Sequence, residues 1–111
     1  MAIGGYSLIK SDAILEIGKY VLKRMEHNLN GGTIILFDTH SFDIWLGNES
    51  VNDVLKLIDG KTELGAIYDS ILPLYEGYCR NEVIESFNSV IEELLDKKFL
   101  VVMLDDNVAN L

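Results

Sequence analysis

The spacing of the apolar residues changes abruptly at Gly47 and Asn48. Before this point, residues 33–38 ("TIILFD") and 42–46 ("FDIWL") are rich in β-branched and aromatic side chains, as strands are. After it, apolar residues recur every three or four positions, which is the spacing of one helix face. The chain therefore passes from sheet to helix here, and this order of elements predicts an α+β fold.

A hairpin is predicted ahead of this junction. Residues 20–26 ("YVLKRME") form a candidate strand, and residues 27–32 ("HNLNGG") supply the Asn and Gly that tolerate positive φ in turns. With the next strand or two, this gives a two- or three-stranded antiparallel sheet. So small a sheet needs helices against its apolar face.

In the strand predicted at 42–46, Phe42, Ile44 and Leu46 share one row of side chains. We expect helices to cover this row. Trp45 falls in the opposite row, where two interpretations stay open: it joins a second small core against the N-terminal segment, or it stands exposed as an aromatic binding anchor.

Three helices are predicted after the sheet. Either Asn48 or Ser50 caps the first, with Ser50 and Asp53 spaced like a capping box, and Gly60 in a left-handed conformation ends it. Thr62 is the predicted cap of the second helix.

The rest of the chain continues this pattern. Pro73 ends or kinks the second helix, and the third runs from about Asn81 to Lys98. The apolar run after it predicts a final strand. Domain boundaries follow: residues 1–19 form an extension of undecided structure, 20–104 the domain, and 105–111 a polar tail.

The third helix carries an unusually wide apolar stripe. Its members are Val83, Ile84, Phe87, Val90, Ile91, Leu94 and Leu95. At ~100° per residue they cover about 140° of the helix, whereas a helix resting on one core needs only about 100°. The surplus predicts a helix face available to a groove.

Composition narrows the class of protein. With 111 residues, 49% of them hydrophobic, the chain suits a single domain. Eighteen acidic residues against nine basic ones give a net charge of −9, which disfavours nucleic acid and favours basic partners. The single cysteine fits a reducing compartment, and no signal peptide or membrane-spanning run is evident, so we expect a soluble cytoplasmic protein.

Nothing in the sequence indicates catalysis. His27, His40 and Cys79 lack the spacing of metal ligands, and no His or second thiol is paired with the cysteine. Glu92 and Glu93 read as part of a solvated helix face, away from any pocket that shifts a carboxylate pKa. We expect no metal, no cofactor and no enzymatic activity.

The junction "WLGNESVNDVLKLIDGKTELGAIYDSIL" and the closing "VIEELLDKKFLVV" resemble the PqqD-like family, the pyrroloquinoline quinone biosynthesis protein D group and related RiPP recognition elements. The resemblance covers about residues 20–102. Gly47 stands where the family usually has Leu, which predicts a bulge or bend in the strand. The matching positions are Asn48, Glu49, Ser50, Val54, Leu55, Leu57, Ile58, Asp59, Gly60, Thr62 and Ile67.

The resemblance implies a small winged helix-turn-helix-like domain that binds peptides without catalysis. The leader of a ribosomally made precursor adds as a strand beside the third strand, the third helix forms the other wall, and a modifying enzyme, often of the radical S-adenosylmethionine type, is the partner. Whether the empty edge strand forms a homodimer stays open. The predicted peptide-binding residues are Phe42, Asp43, Ile44, Trp45, Val83, Ile84, Phe87, Val90 and Ile91.

Two alternatives remain at this stage. A winged-helix DNA-binding or regulatory protein shares the same elements, but it calls for a basic recognition helix, and the third helix carries four Glu before its terminal Lys pair. A structural partner subunit without a peptide ligand is also compatible, because the wide apolar stripe could meet another protein.

Overall fold

The computed structural model describes residues 10–103, and the fold is α+β, consistent with a small winged-helix-like domain. Three antiparallel strands form one sheet in the order β2-β3-β4, and β1 and β5 form a second, two-stranded sheet. The elements are β1 (Leu15–Ile17), β2 (Val21–Glu26), β3 (Thr33–Asp38), β4 (Ile44–Asn48), α1 (Glu49–Leu55), α2 (Leu64–Ile71), a 3₁₀ helix (Leu72–Tyr75), α3 (Arg80–Asp96) and β5 (Leu100–Val102).

The predicted hairpin of β2 and β3 is confirmed. Val21 pairs with Asp38 at one end of the ladder and Glu26 with Thr33 at the other. The turn between them places Asn30 and the two glycines after it at positive φ, a conformation in which Asn and Gly meet little steric cost. The final strand is confirmed too, as β5.

The turn before β4 is longer than predicted. The Asp38 carboxylate accepts the backbone N–H groups of His40 at 2.8 Å and Ser41 at 3.1 Å, and these bonds lower the pKa of Asp38. Phe42 then takes a φ of +67°, so it belongs to the turn. The prediction that Phe42 begins the strand is therefore wrong, and β4 starts at Ile44.

The helices cover the opposite face of β4 from the one predicted. Ile44 and Leu46 are 62% and 58% exposed, whereas Trp45 packs against the core. The register explains the inversion. Trp45 pairs with Leu36 of β3, whose side chain is only 1% exposed, so the two side chains share the covered face.

Helix α1 lacks the predicted capping box. Asn48 is the N-cap residue, but no side chain caps the helix. The Ser50 hydroxyl donates to the Asn48 side chain instead, and the Asp53 carboxylate accepts the Tyr75 hydroxyl at 2.9 Å. Gly60 does take the predicted left-handed conformation, with φ +75°, but α1 ends at Leu55, so the prediction that Gly60 ends this helix is wrong.

Thr62 does not cap α2. Its backbone N–H donates to the Asp59 carboxylate at 2.8 Å and its hydroxyl donates to the same carboxylate at 3.1 Å. These bonds lower the pKa of Asp59 and close a turn after α1. The N-cap position belongs to Glu63, whose side chain makes no cap bond either.

The N-terminal segment supplies the missing acceptors. The backbone N–H groups of Leu64 and Gly65 donate to the carbonyls of Ala13 at 2.8 Å and Ser11 at 2.7 Å. These are two of the N–H groups that a helix start leaves without intrahelical partners. Since Leu15 is also 1% exposed and lies in β1, residues 10–19 pack into the domain. Residues 1–9 and the predicted tail at 105–111 lie outside the described residues.

The core lies between the covered face of the larger sheet and the helices. Pro73 falls in the 3₁₀ helix after α2, which confirms the predicted end of that helix. The buried hydrophobic residues come from most of the elements. They are Leu15, Ile34, Leu36, Val51, Val54, Leu55, Ile58, Leu64, Ile67, Tyr68, Ile71, Phe87, Ile91, Leu94, Phe99 and Leu100.

Candidate functional site

Strand β4 is an edge of the larger sheet, so part of its backbone has no strand partner. The Asp38 N–H donates to the Asp43 carbonyl at 2.9 Å. Hydrogen-bonded and non-hydrogen-bonded pairs alternate along an antiparallel ladder, so the next bonded position on β4 is Trp45. The N–H and C=O groups of Ile44 and Leu46 consequently point outward from the sheet.

Helix α3 runs beside this edge in the opposite direction. The Trp45 indole Nε1–H donates to Glu93 Oε2 at 2.5 Å and so joins β4 to the middle of α3. A hydrogen bond to a charged acceptor is stronger than one between neutral groups. We call the space between β4 and α3, on both sides of this bond, the edge groove.

The edge groove contains a pocket at each end. The Asp43 pocket, of about 440 Å³, is lined by Asp43, Ile44, Trp45, Asp96, Lys97, Lys98 and Phe99. The Tyr75 pocket, of about 510 Å³, is lined by Asn48, Ser50, Val51, Leu74, Tyr75, Tyr78, Val83, Ser86, Phe87 and Val90. Both are large enough to accept a side chain from a bound peptide.

Gly47 shapes the floor of this groove. A Cβ atom at Gly47 would lie 2.4 Å from two ring atoms of Trp45 and 3.3 Å from Ile34 Cγ2, so the indole occupies the space a side chain would take. The register continues through Gly47 to Asn48 without interruption. The predicted bulge or bend is therefore wrong, and the glycine is needed because the Trp45 ring lies over it.

The Tyr75 pocket has an aromatic wall. The Tyr75 ring lies 5.6 Å from the Phe87 ring and 6.4 Å from the Tyr78 ring, both edge to face. Desolvation by burial, and then the hydrogen bond to Asp53, raise the pKa of Tyr75 to about 12. The phenol is therefore neutral at physiological pH. Tyr78 is 72% exposed and forms the outer rim.

The Asp43 pocket has mixed charge. Asp43 and Asp96 contribute carboxylates, and Lys97 and Lys98 contribute two ammonium groups. Lys98 has a φ of +67°, so the chain reverses there between α3 and β5. This end of the groove is therefore polar, whereas the Tyr75 end is mostly apolar.

The structure brings six of the nine predicted site residues to the edge groove. Phe87 is 6% exposed, so it is mainly a core residue that contributes little surface to the pocket. Asp43 contributes from the turn, one residue before β4 begins. The six are Asp43, Ile44, Trp45, Val83, Phe87 and Val90.

The other three predicted residues lie elsewhere. Ile84 lines a separate cavity with Tyr68 and Asn88, on another side of α3. Ile91 is 1% exposed and belongs to the core. Phe42 is 73% exposed, and its ring lies 6.3 Å from that of Phe37, on the sheet face turned away from the helices.

Sequence reasoning missed several residues of the groove. Glu93 read as a solvated carboxylate, yet it anchors Trp45 across the groove. Tyr75 and Tyr78 were not singled out, although two tyrosines within "LYEGY" are a detectable signal for an exposed aromatic cluster. The sequence pattern marks Lys98 only as the end of a helix.

Within residues 10–103, no group of three or more His, Cys, Asp or Glu side chains could hold a metal ion. Cys79 is a free, exposed thiol. Within the same residues, no helix combines the length and apolar character needed to cross a membrane.

Comparisons of the chain with protein-family models, with curated proteins and with solved structures returned no match. The chemistry of the edge groove therefore has to be read from its own residues. Its two defining features are an unpaired strand edge and a facing helix with an aromatic pocket.

Proposed function

We propose that this protein is a non-catalytic peptide-binding module. It captures the leader of a ribosomally synthesised precursor as an added strand beside β4 and presents it to a modifying enzyme. The observation that carries this proposal is the outward-facing backbone of Ile44 and Leu46 next to α3. The resemblance to the PqqD-like family supports the same function.

The edge of β4 supplies the backbone part of recognition. Ile44 and Leu46 offer two N–H and two C=O groups, and each hydrogen bond contributes ~1 kcal/mol net. The total of ~4 kcal/mol falls short of the roughly 8 kcal/mol that a micromolar complex requires. Side chains of the peptide must therefore supply a comparable share.

The two pockets of the edge groove are suited to supply the side-chain part of the binding free energy. Side chains alternate between the faces of a strand, so every second peptide residue points towards α3. Such residues meet the aromatic Tyr75 pocket at one end and the charged Asp43 pocket at the other. The net charge of −9 and the carboxylates of Asp43, Glu93 and Asp96 favour leaders with basic residues.

A titration tests the proposal. Fluorescently labelled leader peptides, taken from short reading frames encoded beside the gene, are titrated with the protein and followed by anisotropy, with scrambled peptides as controls. We expect saturable binding of one leader at low-micromolar concentrations or tighter. Absence of binding to every leader would contradict the proposal and favour a partner subunit without a peptide ligand.

A matched pair of variants locates the site. Val90 lines the Tyr75 pocket, and the neighbouring Ser89 is exposed and points elsewhere on α3. We expect Val90→Glu to weaken leader binding about tenfold and Ser89→Glu to leave it unchanged. Equal effects of the two changes would move the site away from this pocket. Phe87 is unsuitable for this test, because a charge at a core position would unfold the protein.

A nucleic-acid-binding function has little support. Helix α3 carries Glu82, Glu85, Glu92 and Glu93, and its one Arg is Arg80 at the first turn. The Arg80 guanidinium pairs with the Asp69 carboxylate at 3.3 Å. A recognition helix for DNA needs basic residues facing the phosphates, which this surface does not offer.

A further inference from the structure

The face of the larger sheet turned away from the helices is apolar across all three strands. We call this surface the open face. Leu22, Phe42, Ile44 and Leu46 are between 58% and 73% exposed, and Ile35 and Phe37 are half-buried. Exposed apolar surface of this extent on one face is typical of an interaction site. The open face consists of Leu22, Ile35, Phe37, Phe42, Ile44 and Leu46.

These side chains form one continuous patch. Phe37 of β3 pairs with Leu22 on one side and Ile44 on the other, so the three side chains stand in a row across the sheet. The Phe42 ring lies 6.3 Å from the Phe37 ring and extends the patch beyond the end of β4. Ile35 and Leu46 form a second row parallel to the first.

The open face carries no net charge, although the protein as a whole carries −9. The strand rows that form it contain two charged side chains, Arg24 and Glu26, and these pair with each other at 2.6 Å. Two copies of this chain can therefore bring their open faces together without bringing like charges into contact. The rest of the surface is acidic, so two copies that met there would bring like charges together.

We propose that the open face is a homodimer interface, in which the sheets of two copies pack face to face. The apolar side chains of the patch expose on the order of 500 Å² per copy, so a dimer would bury about 1,000 Å², the lower limit for a specific interface. The contact is isologous and self-complementary, as in most two-fold dimers. Sheets packed this way lie about 10 Å apart.

This dimer is independent of leader binding. Face-to-face packing buries side chains, whereas strand addition uses the outward backbone groups of Ile44 and Leu46 in the plane of the sheet. Ile44 alone belongs to both surfaces, and the α3 wall of the edge groove stays outside the dimer interface. Failure of the leader titration would leave the dimer proposal standing, and the reverse holds as well.

Sedimentation equilibrium of the full chain between about 5 and about 500 µM tests the proposal. The test variant is Leu22→Glu, on β2 and far from the edge groove; the control is Val101→Glu, 41% exposed but in β5 of the smaller sheet. Both positions are exposed, so both variants should fold, which circular dichroism checks.

We expect a reversible monomer–dimer equilibrium, a dimerisation constant weakened at least about tenfold by Leu22→Glu, and no change with Val101→Glu. A wild-type protein that stays monomeric at the highest concentration would overturn the proposal and assign the open face to a different protein. A dimer insensitive to Leu22→Glu would overturn it equally.

Discussion

The two edges of the larger sheet, β2 and β4, differ in what they present to a partner. On β2, the Thr39 N–H donates to the Tyr20 carbonyl, so by alternation the backbone of Lys23 points outward. Lys23 and its neighbour Arg24 are both exposed and charged. On β4, the sequence "IWLGN" has no charged residue, and α3 lies alongside.

This difference separates an edge that resists pairing from one that is open to it. Charged side chains, Lys above all, are a common protection of edge strands against unwanted strand addition. β2 has this protection and β4 does not. The unprotected edge is also the one flanked by two pockets, so the two features together indicate use by a ligand.

The largest expected effect on leader binding comes from removing an outward N–H group of β4. The same change on β2 serves as the control. Leu46→Pro does so on β4 and Lys23→Pro on β2, both at positions where a strand tolerates proline because its N–H bonds no neighbour. We expect leader binding to weaken roughly 30-fold, about 2 kcal/mol, with Leu46→Pro, since a hydrogen bond is lost and the proline ring crowds the added strand. Lys23→Pro should bind as the wild type does.

Anisotropy titration measures both affinities, and thermal melts by circular dichroism show whether both variants remain folded. Equal losses from the two proline variants would mean that strand addition at β4 does not explain binding.

A second effect, on the stability of the fold and not on binding, is expected from the glycine beneath the indole. Gly47→Ala places a Cβ against the Trp45 ring, and we expect overpacking to lower the free energy of unfolding by about 1–3 kcal/mol. In a Trp45→Ala background the ring is gone, so the same change should be nearly neutral. Urea unfolding of the wild type and the three variants measures this coupling, and an equal cost in both backgrounds would contradict the packing described for β4.

Features set by neighbouring residues were predictable from the sequence. The Asn-Gly cluster at 27–32 marked the hairpin turn, Gly60 took positive φ, and Pro73 ended α2, because each depends on backbone sterics within a few residues. The order of strands and helices followed from hydrophobic spacing. These local signals sufficed for the fold class.

The covered face of β4 was not predictable in this way. Ile44 and Leu46 occupy one row and Trp45 the other, so both rows of the strand are apolar. The choice between them depends on pairing with the buried residues of β3, such as Leu36. That pairing is set by the longer turn at 39–43, whose extra residues a strand pattern does not reveal.

About two thirds of the predicted site residues lie at the edge groove. The other three lie elsewhere because their positions depend on contacts between parts of the chain that are distant in sequence. The wide stripe included Val83 and Val90, which line the Tyr75 pocket, but it also included Ile91, which the core requires. The bond between Trp45 and Glu93 joins residues 48 apart in sequence. Contacts of this range depend on the assembled fold, and spacing along one helix carries no sign of them.

Amide hydrogen exchange followed by NMR tests the central claim most directly. The N–H groups of Ile44 and Leu46 should exchange fast in the free protein and slow markedly when a leader peptide saturates it, while the N–H of Lys23 on β2 stays fast. Exchange at Ile44 and Leu46 that is unchanged in a saturated complex would contradict strand addition at β4.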